Sequence, residues 1–196
     1  NVGLPGLDEP AVINQTVEAI QEVTGLPLQL DTSNPAAMEA ALRRYNGKPL
    51  VNSVNGKEES LETILPLVKK YGGGLVCLTL DDEGIPADAQ GRLAIAEKIV
   101  RRAEAMGIPR RELLVDGLTM PVSAGGDNAK VTLETLRRAK EELGVKTALG
   151  VSNVSFGLPK REQLNQSFFT MALEQGLDGA IINPKSEAMM GAYRAY

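Results

Sequence analysis

The chain has 196 residues, a net charge of −4 and 43% hydrophobic residues, which is one domain's worth of sequence with enough apolar matter for a core. It contains no histidine, so a Ser-His-Asp triad, a histidine general base and histidine-ligated zinc are all ruled out; carboxylates, amides, hydroxyls, lysines and one thiol remain. Basic residues fall as scattered pairs such as Arg43-Arg44, Arg101-Arg102 and Arg137-Arg138, no apolar run approaches the roughly 20 residues of a bilayer span, and the first residues lack the pattern of a secretory leader. The expectation is a soluble, cytoplasmic protein with neither nucleic acid nor membrane as partner.

Read in chain order, Glu9 to Val23 predicts a helix with Ile13, Val17 and Ile20 on one face. Leu26 to Leu30 predicts a strand, and Pro35 to Tyr45 a helix that Asn34 caps and Pro35 opens. A strand over Pro49 to Val51 and a helix over Glu58 to Lys70 follow. Gly72-Gly73-Gly74 precedes a strand and not a helix, so it reads as a turn and not as a phosphate cradle. Leu75 to Leu80 is the next strand, with Cys77 inside it as a buried structural thiol. The acidic Asp81-Asp82-Glu83-Gly84 lacks EF-hand spacing and reads as a solvated loop. Then come a helix over Ala87 to Met106, with Ile95, Ile99 and Ala103 four apart, and a strand over Leu113 to Val115. A helix over Ala129 to Leu143, a strand over Thr147 to Val151, a helix over Arg161 to Gln175 and a strand over Gly179 to Ile182 complete the set. Met189 and Met190 read as packing residues.

This βα repeat, with a period of roughly 25 to 35 residues, implies a parallel sheet. No Gly-x-Gly-x-x-Gly follows a strand, and the regular alternation fits a TIM barrel better than a doubly wound sheet. The expected fold class is therefore α/β, a TIM (β/α)8 barrel with about six of the eight strands, and residues 1–196 form a single domain.

Polar residues recur where the apolar runs stop: Asp31 with Thr32 and Ser33, Asn52 with Ser53 and Asn55, Asp81 and Asp82, Asp116, Asn153 with Ser155, and Asn183. In a barrel the carboxyl ends of the strands converge on one mouth. Such a set would line a hydrogen-bonding pocket without strong nucleophiles. At any one position, capping or turn-making competes with ligand contact, and Asp31, Asn34 and Asn128 could each do no more than cap.

Several of these segments resemble a known family. Leu28-Gln29-Leu30-Asp31-Thr32-Ser33, Leu50-Val51-Asn52-Ser53-Val54-Asn55, Leu114-Val115-Asp116 and above all Gly150-Val151-Ser152-Asn153-Val154-Ser155-Phe156 are similar to the pterin-binding domain of cobalamin-dependent methionine synthase. They are equally similar to the methyltetrahydrofolate:corrinoid protein methyltransferases, which share the barrel of dihydropteroate synthase. The resemblance implies 5-methyltetrahydrofolate as substrate, with Asp116 and Asp31 answering the donor edge of the pterin and Asn52 completing the lining. It implies that Asn153 approaches N5 and acts as the catalytic residue, and that Ser155 and Asn183 belong to the substrate-binding set. It further implies a corrinoid (cobalamin) carried by a partner protein or domain that docks over the mouth, since no histidine here can ligate cobalt and no metal ligand is expected in the chain. An open barrel of six strands exposes sheet edges, and a homodimer is one expected way of covering them. The lysine, arginine and histidine of the synthase pattern are missing from Ser152-Asn153-Val154-Ser155 and Ile182-Asn183-Pro184, which argues against condensing activity. A pterin-binding fragment without turnover is the alternative. Gly117 stands where the family usually has proline, which would loosen the backbone beside Asp116. Against the family barrel, the chain is expected to start after the second strand and to stop inside the eighth helix.

Overall fold

In the computed structural model, which describes residues 1–196, helices and strands alternate from Glu9 to Ala195. The order is α1 (Glu9–Val23), β1 (Gln29–Asp31), α2 (Pro35–Arg44), β2 (Leu50–Asn55), α3 (Glu58–Tyr71), β3 (Gly74–Leu78) and α4 (Ala89–Ala105), then β4 (Leu113–Asp116), α5 (Asn128–Arg138), β5 (Lys146–Gly150), α6 (Arg161–Glu174), β6 (Gly179–Ile181) and α7 (Glu187–Ala195). Several helices begin where a side chain satisfies an otherwise orphaned N–H. Asn34 accepts from Ala36 and Ala37 at 3.0 and 3.4 Å, Asp88 accepts from Gly91 at 2.7 Å, and Ser186 accepts from Met189 at 3.3 Å.

The six strands are parallel and pair in sequence order, β1 through β6. Strand order never reverses, so the sheet is wound in one direction, as in a TIM barrel and unlike a doubly wound sheet. Alternate strand residues face the helices. Leu30, Val51, Val54, Leu75, Cys77, Leu113 and Val115 join helix residues such as Met38, Leu61 and Ile99 in a core of 26 buried residues. A second core of 11, around Leu149, Phe168, Phe169 and Met189, packs α6 and α7 on the far end of the sheet. Each such Leu, Val or Phe stabilises the fold by about 1.5 to 3 kcal/mol on burial, so the sheet is held from its helix side. The opposite, barrel-facing side carries Leu50, Val76, Leu78 and Leu114 along its length and polar residues at the carboxyl ends of the strands.

Element boundaries differ from the sequence reading in physically interpretable places. The first strand covers Gln29–Asp31 and not Leu26 to Leu30, because Pro27 has no N–H for a ladder and Leu26 is 72% exposed. The second runs on through polar residues to Asn55, since ladder bonds to β3 continue across a register shift between Asn52 and Val54. The helix expected over Ala129 to Leu143 is α5 followed by a π-turn, Ala139–Leu143, that stops at Gly144 with φ +61°. Val151 leaves the fifth strand for a 3-10 turn, Val151–Ser155. Cys77 is fully buried, and burial pushes its thiol up to about 12. No helix is long and apolar enough to cross a membrane.

Candidate functional site

The site is built at the carboxyl ends of the strands. On β1, Leu30 points into the helix-side core, so Asp31 lies on the barrel side. Asp31 and Asn52 are register partners, which sets them one strand spacing apart, roughly 4.8 Å. In regular alternation Asn52 and Asn55 would face opposite sides. The register shift in β2 puts Val51 and Val54 both in the core and thereby both asparagines on the barrel side. A cavity of about 350 Å³ opens here, lined by Asp31, Ser33, Asn52, Asn55, Ser60 and Thr63 among others.

One register step further, Asn55 pairs with Leu78 and Leu78 with Asp116. The Asp116 side chain is 9% exposed, and its Oδ1 accepts the Leu118 N–H at 2.8 Å. Burial pushes the carboxyl up to about 6, while the Leu118 N–H and the Arg92 charge pull it part of the way back. The turn that delivers this N–H has Leu118 at φ +55°, a left-handed conformation costly for a residue with a side chain. Gly117 is not loose: its carbonyl accepts from Arg92 Nη1 at 2.7 Å and its Cα sits against α5.

Asn153 is exposed on the 3-10 turn after β5. Leu149 faces the core, so Gly150 faces the barrel, and a Cβ on Gly150 would come within 3.1 Å of Asn153 Nδ2. The Asn153 amide therefore folds over the end of β5 on the barrel side. Beneath it the turn is anchored by Arg161, which donates from Nη2 to the Ser152 carbonyl at 2.9 Å and from Nε to Ser155 Oγ at 3.0 Å. Ser155 is fully buried and donates to Asn165 Oδ1 at 2.7 Å. Asn183 lies beyond the end of β6, where its Oδ1 accepts the Lys185 N–H at 3.0 Å; it lines a different cavity of about 360 Å³ together with Ser152, Arg161 and Asn165.

Counting hydrogen bonds separates the six expected site residues. Asp31, Asn52 and Asn153 have no side-chain hydrogen bond within the chain, and Asp116 uses only Oδ1. These groups are what the fold leaves open to a ligand. Ser155 is engaged in holding the turn, and Asn183 in making one. Capping is done by Asn34, whereas Asn128 Nδ2 donates to the Pro121 carbonyl at 2.8 Å. The acidic segment folds as a turn in which Asp81 Oδ1 accepts the Glu83 N–H at 3.0 Å, and no three His, Cys, Asp or Glu side chains converge to hold a metal ion. Arg92 and Arg161 were not among the residues expected from the sequence. Arg92 carried a readable signal, since it shares the buried stripe of α4 with Ile95, Ala96 and Ile99; Arg161 carried none.

The profile of the family described as "Pterin binding enzyme" matches residues 4–183. The chain belongs to that family. Among pterin binding enzymes it is 32% identical over 191 residues to the methionine synthase of Mycobacterium tuberculosis, an alignment covering 91% of this chain and 16% of that protein. It is 30% identical over 181 residues to the methylcorrinoid:tetrahydrofolate methyltransferase of Eubacterium limosum, covering 90% of this chain and 66% of that protein. The chain thus spans under a fifth of the first relative and just under two thirds of the second. Its fold matches the dihydropteroate synthase from Xanthomonas albilineans in complex with 7,8-dihydropteroate, with a TM-score of 0.73, 22% identity, and coverage of 93% of this chain and 70% of that one. The Thermus thermophilus synthase in complex with 4-aminobenzoate gives a TM-score of 0.73 at 22% identity, with 98% and 77% coverage. At that identity the likeness concerns the fold, a pterin binding barrel of which six strands stand here.

Proposed function

We propose that residues 1–196 act as one pterin-binding unit that holds 5-methyltetrahydrofolate and passes its N5 methyl group to a corrinoid carried by a partner protein or domain. One observation carries this reading: the side chains of Asp31, Asn52 and Asn153 and Oδ2 of Asp116 make no hydrogen bond within a chain that is 30% identical over 90% of its length to a methyltransferase named for tetrahydrofolate and a corrinoid.

The pterin offers ring N–H and exocyclic amino donors along one edge. A carboxylate meets such an edge with charge-assisted hydrogen bonds, and Asp116 Oδ2 and the Asp31 carboxylate are the open acceptors. Asn52, register partner of Asp31, offers both a donor and an acceptor beside them. Asn153 stands over β5 with its amide free to accept from a protonated N5 or to donate to a neutral one. When the N5–CH3 bond breaks, its electron pair stays on N5, which takes up a proton. No strong acid lies in the 3-10 turn, so that proton arrives through water, and the amide's task is to stabilise the protonated nitrogen and orient the methyl group outward. The corrinoid supplies a cobalt(I) nucleophile that accepts the methyl group. The chain has no histidine to ligate cobalt, consistent with delivery by a partner over the mouth. The Eubacterium limosum enzyme is named for transfer in the opposite sense. The same groups serve both directions, because both pass through one transition state.

Titrating 5-methyltetrahydrofolate into the chain, and then assaying methyl transfer to free cobalt(I) cobalamin, tests the reading. Binding with transfer is expected. Binding without transfer leaves a pterin-binding module, and no binding overturns the proposal.

A further inference from the structure

Arg92 is 2% exposed, yet it makes no ion pair at hydrogen-bond distance. A guanidinium is rarely buried this completely, and its desolvation must be offset by acceptors. Here the acceptors are main-chain carbonyls of two different loops. Nε donates to Pro86 O at 3.0 Å, in the connection after β3. Nη1 donates to Gly117 O at 2.7 Å and Leu118 O at 2.9 Å, in the connection after β4, and to Thr132 Oγ1 at 3.3 Å. Removing Arg92 would leave these buried carbonyls without a donor, so the side chain ties the two loops to α4.

Two of the three carbonyls that Arg92 grips belong to the two residues immediately after Asp116. Leu118, at φ +55°, sits in a strained turn that persists only where its surroundings over-determine it. That turn places the Leu118 N–H on Asp116 Oδ1. We infer that Arg92 is a positioning residue for Asp116: by clamping Gly117 and Leu118 it fixes the carboxylate by one oxygen and leaves Oδ2, which has no partner in the chain, as the acceptor for a pterin donor. Arg92 is also the charged group acting on Asp116, and the influence is mutual: burial lowers the guanidinium's affinity for its proton, and Asp116 and Asp88 oppose that shift. The clamp touches no ligand and acts through the loop. It rests on the proposed pterin-binding reading for its purpose, but not for its geometry.

The test follows the Asp116 carboxyl by 13C NMR through a pH titration of the full chain, alongside 5-methyltetrahydrofolate affinity, for wild type, Arg92→Met and Arg92→Lys. In Arg92→Met the Asp116 midpoint is expected to rise by about one pH unit, with loss of the opposing charge, and the pterin dissociation constant to rise about tenfold at pH 7. Arg92→Lys keeps the charge and cannot bridge both loops, so the midpoint rises less than in Arg92→Met while the Leu118 amide exchanges faster and affinity falls. A lowered melting temperature with an unmoved midpoint in Arg92→Met marks Arg92 as merely structural and overturns the inference. If Arg92→Met does not fold, Arg92→Lys decides: unchanged Leu118 exchange together with unchanged affinity overturns it. If wild type does not bind the pterin, the proposed function fails, while the Asp116 midpoint and Leu118 exchange still decide whether the clamp exists.

Discussion

Val122 donates its backbone N–H to the carbonyl of Val154 at 3.0 Å, which joins the loop that follows Asp116 to the turn that carries Asn153. Ser123 Oγ reinforces the joint by donating to the Phe156 carbonyl at 2.9 Å. The carboxylate proposed to meet the pterin edge and the amide proposed to meet N5 thus ride on one hydrogen-bonded unit. Hydrogen exchange checks this: adding 5-methyltetrahydrofolate is expected to slow the Leu118, Val122 and Phe156 amides together. Protection confined to one of the two segments would contradict a shared unit.

Asn153 and Gly150 give a paired prediction. Asn153→Ala removes the group proposed to stabilise protonated N5, so methyl transfer should fall about a hundredfold while pterin affinity changes little. Gly150→Ala leaves the amide in place chemically but puts a Cβ within 3.1 Å of Nδ2. Because Asn153 is exposed, its side chain gives way before the strand does, and the variant should lose transfer while keeping its melting temperature. Equal losses of binding and transfer in Asn153→Ala would count against a role at N5.

Asp116 links the site to stability. Its folded value, about 6, lies above the 3.8 of an unperturbed aspartate, so between those values the folded state holds the extra proton. Its contribution is therefore most favourable below about pH 4 and is lost as pH rises through 6, by on the order of 3 kcal/mol. Asp116→Asn removes that penalty, so the variant should gain stability over wild type at pH 7.5 and little at pH 4, as measured by urea unfolding; the comparison cancels the other carboxylates. Under the proposed role of the carboxylate, pterin binding should run the other way, with wild-type affinity declining as pH falls below 6 and the Asn variant weak throughout. A flat stability difference would show that Asp116 is not desolvated.

The fold was legible wherever periodicity and caps agree. Helix α1 falls on the expected residues, and Asn34 and Pro35 open α2 as their chemistry demands. Misreadings came where backbone pairing overrides side-chain character, as in β2, whose polar Asn52-Ser53-Val54-Asn55 half stays in the ladder through a register shift. The site was legible as a set of strand-end polar residues, but single-sequence reading could not say which were already spoken for. Ser155 looked as available as Asn153, and only the Arg161 and Asn165 contacts show that its hydroxyl is consumed inside the turn. Arg92 could have been singled out by its place in the buried stripe of α4, but what it and Arg161 hold stayed hidden, because most of their acceptors are main-chain carbonyls, which leave no trace in residue type.

Thr119 supplies the remaining prediction. Its Oγ1 is buried without a hydrogen-bond partner, three residues beyond Asp116, and the residue is 6% exposed. An unsatisfied buried hydroxyl costs about 1 to 3 kcal/mol, and an isosteric apolar group removes the cost without opening a cavity. Thr119→Val should therefore stabilise the free chain by about 1 kcal/mol in urea unfolding. A destabilised variant would mean that the hydroxyl is satisfied in solution, by water or by rotation toward a loop carbonyl. Repeating the unfolding with saturating 5-methyltetrahydrofolate separates fold from ligand: equal gains with and without the pterin make Thr119 a bystander, while a gain that vanishes on binding makes the hydroxyl part of what the pterin contacts.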